Sequence, residues 1–235
     1  MSVRLETGDG LARLLIDRAD KKNAMTLAMW EALPGLLQQA LRDPAIRAVE
    51  LTAADRDGAF CAGADIAEML AHKDDPAWLA RKQAAITAAQ YDLTRLPVPS
   101  VAFVNGDCIG GGAGLAMACD IRVAAPSARF GITPAKLGLV YPLHDVKLLT
   151  DLVGPGQARR LLYTGALIDA AEAERIGLVE EIAEGSSRLI EAILAASPTS
   201  QSAAKAFVRR VLDGATLDDA ASLTAAAALQ WRFAT

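Results

Sequence analysis

At 235 residues, with 52% hydrophobic and 22% charged side chains, the chain can bury a large core, which excludes disorder. A formal net charge of −4 with dispersed Lys and Arg excludes a dedicated nucleic-acid surface. Three cysteines without a CxxC pair, an N-terminus MSVRLETGDG with no apolar signal core, and a longest uncharged stretch (109–119) too short and glycine-rich to cross a bilayer predict a cytoplasmic protein without a membrane segment.

Val3 and Leu5, then Leu11, Leu14 and Ile16, flank the turn signal Gly8-Asp9-Gly10 and predict a hairpin. Thr26 is placed to cap a helix over 27–41, in which Pro34-Gly35 predicts a kink or break. A strand is expected over 48–52. Asp65 and Glu68 have capping-box spacing, so a helix is expected to start after the loop Phe60-Cys61-Ala62-Gly63-Ala64. A second helix is expected over 78–93. Strands follow at 100–104 and 121–125, with a glycine turn and one short helix between them. This rhythm predicts an α/β core built on a parallel sheet. Beyond Pro134 the chain reads as almost wholly helical: Gly154-Pro155 opens one helix, Asp169 with Glu172 caps another that Gly177 ends, and Ser197-Pro198 opens a third. The division falls near 185, giving a core over 1–185 and a helical C-terminal region over 186–235.

The stretch VNGDCIGGGAGLAMACD (104–120) holds the chemistry-bearing turn. Glycines at a strand-to-helix junction let backbone approach a ligand, and the first helical turn leaves N–H groups without intrahelical partners. Gly110, Gly111, Gly112 and Gly114 do not space as G-x-G-x-x-G, and no Gly-Lys-Ser/Thr follows, which argues against dinucleotide and P-loop readings. An oxyanion hole remains, in which backbone N–H groups meet an oxygen that becomes negative during reaction; it needs a second donor, and the loop at 60–66 is the candidate. On spacing alone, the same small residues serve equally for close helix–strand packing.

The segments FCAGADIAEM (60–69) and VNGDCIGGGAGLAMACDI (104–121) closely resemble the two signature loops of the crotonase superfamily, the enoyl-CoA hydratase/isomerase family. DRADKKNAMT (17–26) is similar to its first coenzyme A contact segment, with Ala19 where a proline is common, and the likeness continues through FGITPAKLGL (130–139) and 154–182. The resemblance implies a crotonase (ClpP-like) spiral core of repeated β-β-α units, an acyl-CoA substrate with coenzyme A as part of it and no permanently bound cofactor, and a homotrimer or hexamer joined through the helical C-terminal region. It implies that Ala64 and Gly111 donate the two N–H groups to the thioester oxygen, each typically worth about 3 kcal/mol. Lys22, Ala24, Ala62, Asp65 and Ile66 would lie along the pantetheine and adenine, with Gly110, Gly114, Thr133 and Pro134 around the acyl group. Relatives commonly continue past the equivalent of QWRFAT, so the C-terminal region is expected to be short.

Hydratases of that family carry glutamates where this chain has Gly114 and Pro134, so the acid–base pair for adding water is expected to be absent. Decarboxylation of a malonyl-type thioester needs no base to begin, and TPAKLGLVY (133–141) resembles a T-P-x-x-L-G-x-x-Y pattern of methylmalonyl-CoA decarboxylases in the superfamily. Tyr141 is the candidate to orient a carboxylate or return a proton. His144, expected at the start of a helix opened by Pro142, is a second candidate and is expected to be neutral there. Asp120 is expected to be structural and His72 to face water. His72 and His144 lie far apart and the cysteines lack ligand spacing, so no metal is expected. The rival reading is a non-catalytic acyl-CoA binding or assembly subunit.

Overall fold

The computed structural model describes residues 2–216. Strands β1 (Val3–Gly8) and β2 (Leu11–Ile16) pair antiparallel with Gly8 opposite Leu11. Asp9 and Gly10 both take positive φ, 51° and 79°, the turn whose twist matches a hairpin. Helix α1 (Leu27–Leu41) is capped by Thr26 and runs unbroken through Pro34, so the predicted break is absent. Its apolar face explains this: Trp30, Leu33 and Leu37 are buried on either side of the proline, so packing outweighs the one backbone bond that Pro34 cannot make.

β3 (Ala48–Ala53) is buried along its whole length, as a central parallel strand must be. Helices α2 (Ile66–Ala71) and α3 (Pro76–Thr94) follow, each started by an aspartate whose carboxylate accepts a backbone N–H: Asp65 from Glu68 and Asp75 from Trp78, both 3.0 Å. The second half of the predicted box is absent at Asp65, because the Glu68 carboxylate turns instead to the Leu27 N–H at 2.9 Å and so stitches α2 to the start of α1.

β4 (Ser100–Val104), β5 (Asp107–Ile109), α4 (Gly111–Ala118) and β6 (Ile121–Ala124) come next, then β7 (Arg129–Gly131), α5 (Leu143–Thr164), β8 (Leu167–Asp169), α6 (Ala170–Arg175) and β9 (Glu181–Ile182). Helices α7 (Ser187–Ala195) and α8 (Pro198–Leu212) close the described chain. The larger sheet has the order β1-β2-β3-β4-β6-β9, antiparallel at β1–β2 and parallel elsewhere; the smaller has the order β5-β7-β8. This is the expected α/β architecture. The predicted new helix at Gly154-Pro155 is a break inside α5, where Gly154 sits at φ 72°.

The main core lies between one face of the larger sheet and α1, α3, α4 and α5, with Trp30, Phe60, Leu93 and Leu115 fully enclosed. On the opposite face, Ile190 and Ile193 of α7 bury against Leu11, Val101 and Phe103. The segment 217–235, the last part of the expected C-terminal region, lies outside the described residues.

Candidate active site

The site begins with two loops that are tied together before either can bind anything. Cys61 donates its N–H to Asp107 O and accepts from Ile109 N, both at 2.9 Å, so the segment before α2 runs as a short parallel ribbon beside β5. On its other side the same segment is held by the chain at 22–25: Ala62 N–H to Lys22 O (2.9 Å), Met25 N–H to Gly63 O (2.7 Å) and Asp65 N–H to Met25 O (3.0 Å). Arg18 bridges the two by donating to Ala24 O and to the Asp65 carboxylate, at 2.8 and 2.7 Å.

This strapping fixes the two loops and leaves the amides of Ala64 and Gly111 outside it. Among the described residues neither the Ala64 N–H nor the Gly111 N–H has a hydrogen-bond partner. Gly111 is the first residue of α4, where an N–H is orphaned by helix geometry. The preceding Gly110 takes φ 54° and ψ −111°, a backbone state that a side chain resists. An ideal Cβ on Gly111 would stand 3.8 Å from Ala64 N, and one on Gly63 would stand 3.4 Å from Gly111 N. Both amides therefore border one small space, and both residues line the same pocket. Partly exposed to the pocket and unpaired, with Gly111 at a helix start, they form a site suited to an oxygen carrying partial negative charge.

The pocket wall is made of side chains. α3 contributes Leu79, Lys82, Gln83, Ile86 and Gln90 at helical spacing, α1 contributes Trp30, and the turn before α5 contributes Leu137, Leu139, Val140 and Tyr141. Lys82 is 4% exposed, 3.6 Å from Glu68 and over the Trp78 ring at 4.9 Å; burial pushes its ammonium below the ordinary lysine range. Trp78 also stacks on His72, with centroids 4.6 Å apart, so His72 packs against a ring.

Of the residues singled out by sequence, Ala62, Ala64, Ile66, Gly110, Gly111, Thr133, Pro134 and Tyr141 line this pocket. Lys22 and Ala24 lie in the adjoining strap. The Asp65 side chain is engaged in capping α2 and pairing with Arg18, and these partners, the Glu68 N–H first, hold its carboxyl below the usual range. Gly114 is buried behind the wall and does not line the pocket.

His144 is also absent from the lining. Burial lowers its pKa, followed by Arg209, Lys147 and Arg95, so it is held in the neutral form on the side of α5 that meets α8. Tyr141 reaches the site but donates its hydroxyl to Gly110 O at 3.0 Å, the carbonyl that also accepts the Gly114 N–H, and burial pushes the phenol well above its ordinary value. Asp120 accepts from the Ser100 N–H (2.8 Å) and hydroxyl and pairs with Lys205 (2.6 Å), which joins β4, β6 and α8 well away from the pocket.

Sequence reading missed Asp145. It is 1% exposed, lines the pocket, and is the only carboxylate that does so among the described residues. Gln90 Nε2 donates to its Oδ1 at 2.8 Å, and burial pushes its carboxyl up to about 6. The available signal was position: Asp145 falls in the first turn of α5, four residues after Tyr141, and both line the pocket whereas His144 does not. The space behind Gly114 is filled by this same group. A Cβ there would collide with Asp145 Oδ1 and Gln90 Nε2.

Comparison with known proteins converges on one family. The family model for enoyl-CoA hydratase/isomerase matches residues 6–230. The Bacillus subtilis protein YngF is 36% identical over 172 residues, 73% of this chain and 65% of its own length, just under two thirds. The crotonyl-CoA hydratase of Syntrophomonas wolfei is 37% identical over 191 residues, covering 81% of this chain and 72% of the relative. Among solved structures, an enoyl-CoA hydratase/isomerase family protein from Hyphomonas neptunium superposes with a TM-score of 0.90 at 34% identity, over 95% of this chain and 88% of that one.

Proposed function

The chain belongs to the enoyl-CoA hydratase/isomerase family, and on that premise we propose that it is an enzyme acting on an acyl-CoA thioester through an enolate. The observation that carries this reading is the pair of partnerless N–H groups, from Ala64 and Gly111, bordering one space. A thioester oxygen between them is polarised as charge develops on it, and each such donor contributes roughly a hundred- to a thousandfold in rate. The strap at 22–25 beside the loop at 60–66 offers the coenzyme an edge of backbone. Ile66 and Ala62 lie at the pocket's rim, with Lys22, Ala24 and Asp65 behind them.

Decarboxylation of a malonyl-type CoA is the favoured reaction. Adding water across an enoyl thioester calls for two groups that handle protons at the attacked and protonated carbons. Here position 134 is a proline and position 114 a buried glycine, while the pocket's lining holds one carboxylate. Loss of CO₂ delivers the enolate without a base and leaves a single proton to be supplied. The apolar side chains of Ile86, Leu139 and Val140 suit departure of an uncharged product.

Incubation with malonyl-, methylmalonyl- and crotonyl-CoA tests this directly. Release of CO₂ from a malonyl-type thioester, with crotonyl-CoA hydrated at least about a hundredfold more slowly than by an ordinary hydratase, is the expected result. Rapid hydration of crotonyl-CoA would overturn the preference. A protein that binds every thioester and changes none is the alternative, an acyl-CoA binding or assembly subunit. Assembly into a homotrimer or hexamer belongs to the same proposal; Val208 and Val211, exposed on α8, are apolar surface such contacts would use, and sedimentation measures it.

A further inference from the structure

We propose that Asp145 is the proton-transferring acid of this pocket, delivered from α5 into the space that a side chain at position 114 would otherwise occupy. This rests on the thioester reading above and adds to it the residue that handles the proton.

The geometry makes the exchange mutually exclusive. A Cβ at position 114 would sit on Asp145 Oδ1 and Gln90 Nε2 and 3.4 Å from Asp145 Cγ, so any residue larger than glycine there displaces the carboxylate. The glycine therefore vacates a place for an acid rather than leaving the site without one. Asp145 reaches that place from the third residue of α5, in a first turn that favours negative charge.

Its surroundings are those of a working acid and not of a structural anchor. A carboxylate buried for structure is normally matched by a cation or by several N–H donors. Glu50 and Asp65 in this same molecule are matched in that way, by Arg13 at 2.8 Å and by Arg18 and the Glu68 N–H. Asp145 is met by neutral groups alone: Gln90 of α3, which donates at 2.8 Å, then more weakly the Tyr141 hydroxyl and a backbone N–H. The other groups facing it are Gly114 of α4 and, beyond the tyrosine, Cys108 of β5; no cation is among them. The carboxyl consequently titrates at about 6, burial being the first cause, which places both of its forms within reach of neutral pH. Tyr141 is the poorer acid, since its only proton is directed at Gly110 O and burial raises its pKa.

In decarboxylation, the bond from Cα to the substrate carboxylate breaks, its electron pair enters the enolate and CO₂ leaves. The enolate's pair then takes the Asp145 proton, forming a C–H bond at Cα, and the carboxylate recovers a proton from water. The same residue run backwards, as a carboxylate, removes a Cα proton from an acyl thioester that has no CO₂ to lose. The enzyme is thus expected to exchange the α-hydrogens of butyryl-CoA with solvent.

The test compares wild type with Asp145→Asn, which preserves shape and the acceptor for Gln90. Butyryl-CoA binding is measured by calorimetry and α-hydrogen exchange in D₂O by NMR between pH 5 and 8. Wild type is expected to exchange, with the rate rising through a step near pH 6 as the carboxyl ionises. The variant is expected to bind within about threefold of wild type and to exchange about 10²- to 10⁴-fold more slowly, with the step gone. The double substitution Asp145→Gly with Gly114→Glu returns the acid to α4 and is expected to exchange at least about tenfold faster than Asp145→Gly alone. Wild-type exchange rate and pH step in Asp145→Asn overturn the assignment of Asp145. Binding without exchange in wild type overturns proton transfer by this pocket, and failure of wild type to bind butyryl-CoA overturns the thioester reading beneath it.

Discussion

The floor and the wall of this pocket are built from different materials. The floor is main chain: two amides held by a ribbon of backbone hydrogen bonds, with glycine and alanine wherever a side chain would intrude. The wall is side chain: a stripe of α3, the first turn of α5 and the turn before it, meeting through the Gln90–Asp145 bond. Backbone amides do not titrate and cannot be exchanged by a point substitution, so the floor offers a fixed electrostatic feature at any pH. Side chains do titrate and can be exchanged, so the wall is where the choice of reaction resides.

The harshest way to break that division is to deform the floor. A Cβ on Gly112 would lie 2.7 Å from Cys61 Cβ and 3.0 Å from its Sγ, and closer still to Cys61 O, so Gly112→Ala must part α4 from the loop at 60–64. Turnover is expected to fall at least about a hundredfold and stability by about 1–3 kcal/mol, read by thioester assay and urea unfolding. A variant with normal turnover would show that the two amides need not hold their spacing.

The wall is expected to behave in the opposite sense for stability. The Asp145 carboxyl is raised to about 6 from an ordinary 3.8, so the folded state holds the proton more tightly than the unfolded one. That contribution is complete below about pH 4 and is lost as pH rises through 6. Wild type therefore carries a cost on the order of 2–3 kcal/mol at pH 8 that Asp145→Asn does not. The variant is expected to be the more stable protein at pH 8 and equal to wild type near pH 4, by thermal or urea denaturation. Equal stability at both ends would mean the carboxylate is better solvated than its burial indicates.

Smaller effects sharpen the picture. Gln90 and Tyr141 both hold the Asp145 carboxyl lower than burial alone would, Gln90 the more strongly. Gln90→Leu is expected to move the exchange step to higher pH, and Tyr141→Phe to move it less far in the same direction. Tyr141→Phe also forfeits the bond to Gly110 O, about 0.5–1.5 kcal/mol of stability. A step unmoved by Gln90→Leu would separate that amide from the titrating group.

The floor was legible in the amino-acid string because it constrains residue type. Gly110 at positive φ and Gly63 at φ 95° write themselves as glycine, and the capping aspartates at 65 and 169 appear where helices begin. The wall was not legible. Gln90 and Asp145 are 55 positions apart, and nothing in either segment announces the other. By resemblance Gly114 stands where an acid is expected on α4, but the sequence does not record that Asp145 fills the space behind it. His144 drew attention instead of its neighbour because imidazole looks chemical in isolation, although α5 turns it toward Arg209 and Lys147. The strands β5, β7 and β8, three residues each, are too short to show alternation, so the smaller sheet was likewise invisible.

Cys61 is held to both Asp107 and Ile109. The separation of the Ala64 and Gly111 amides is therefore gauged while the chain folds, before any molecule arrives. Side chains of the wall can be exchanged around that opening without resetting its calibre.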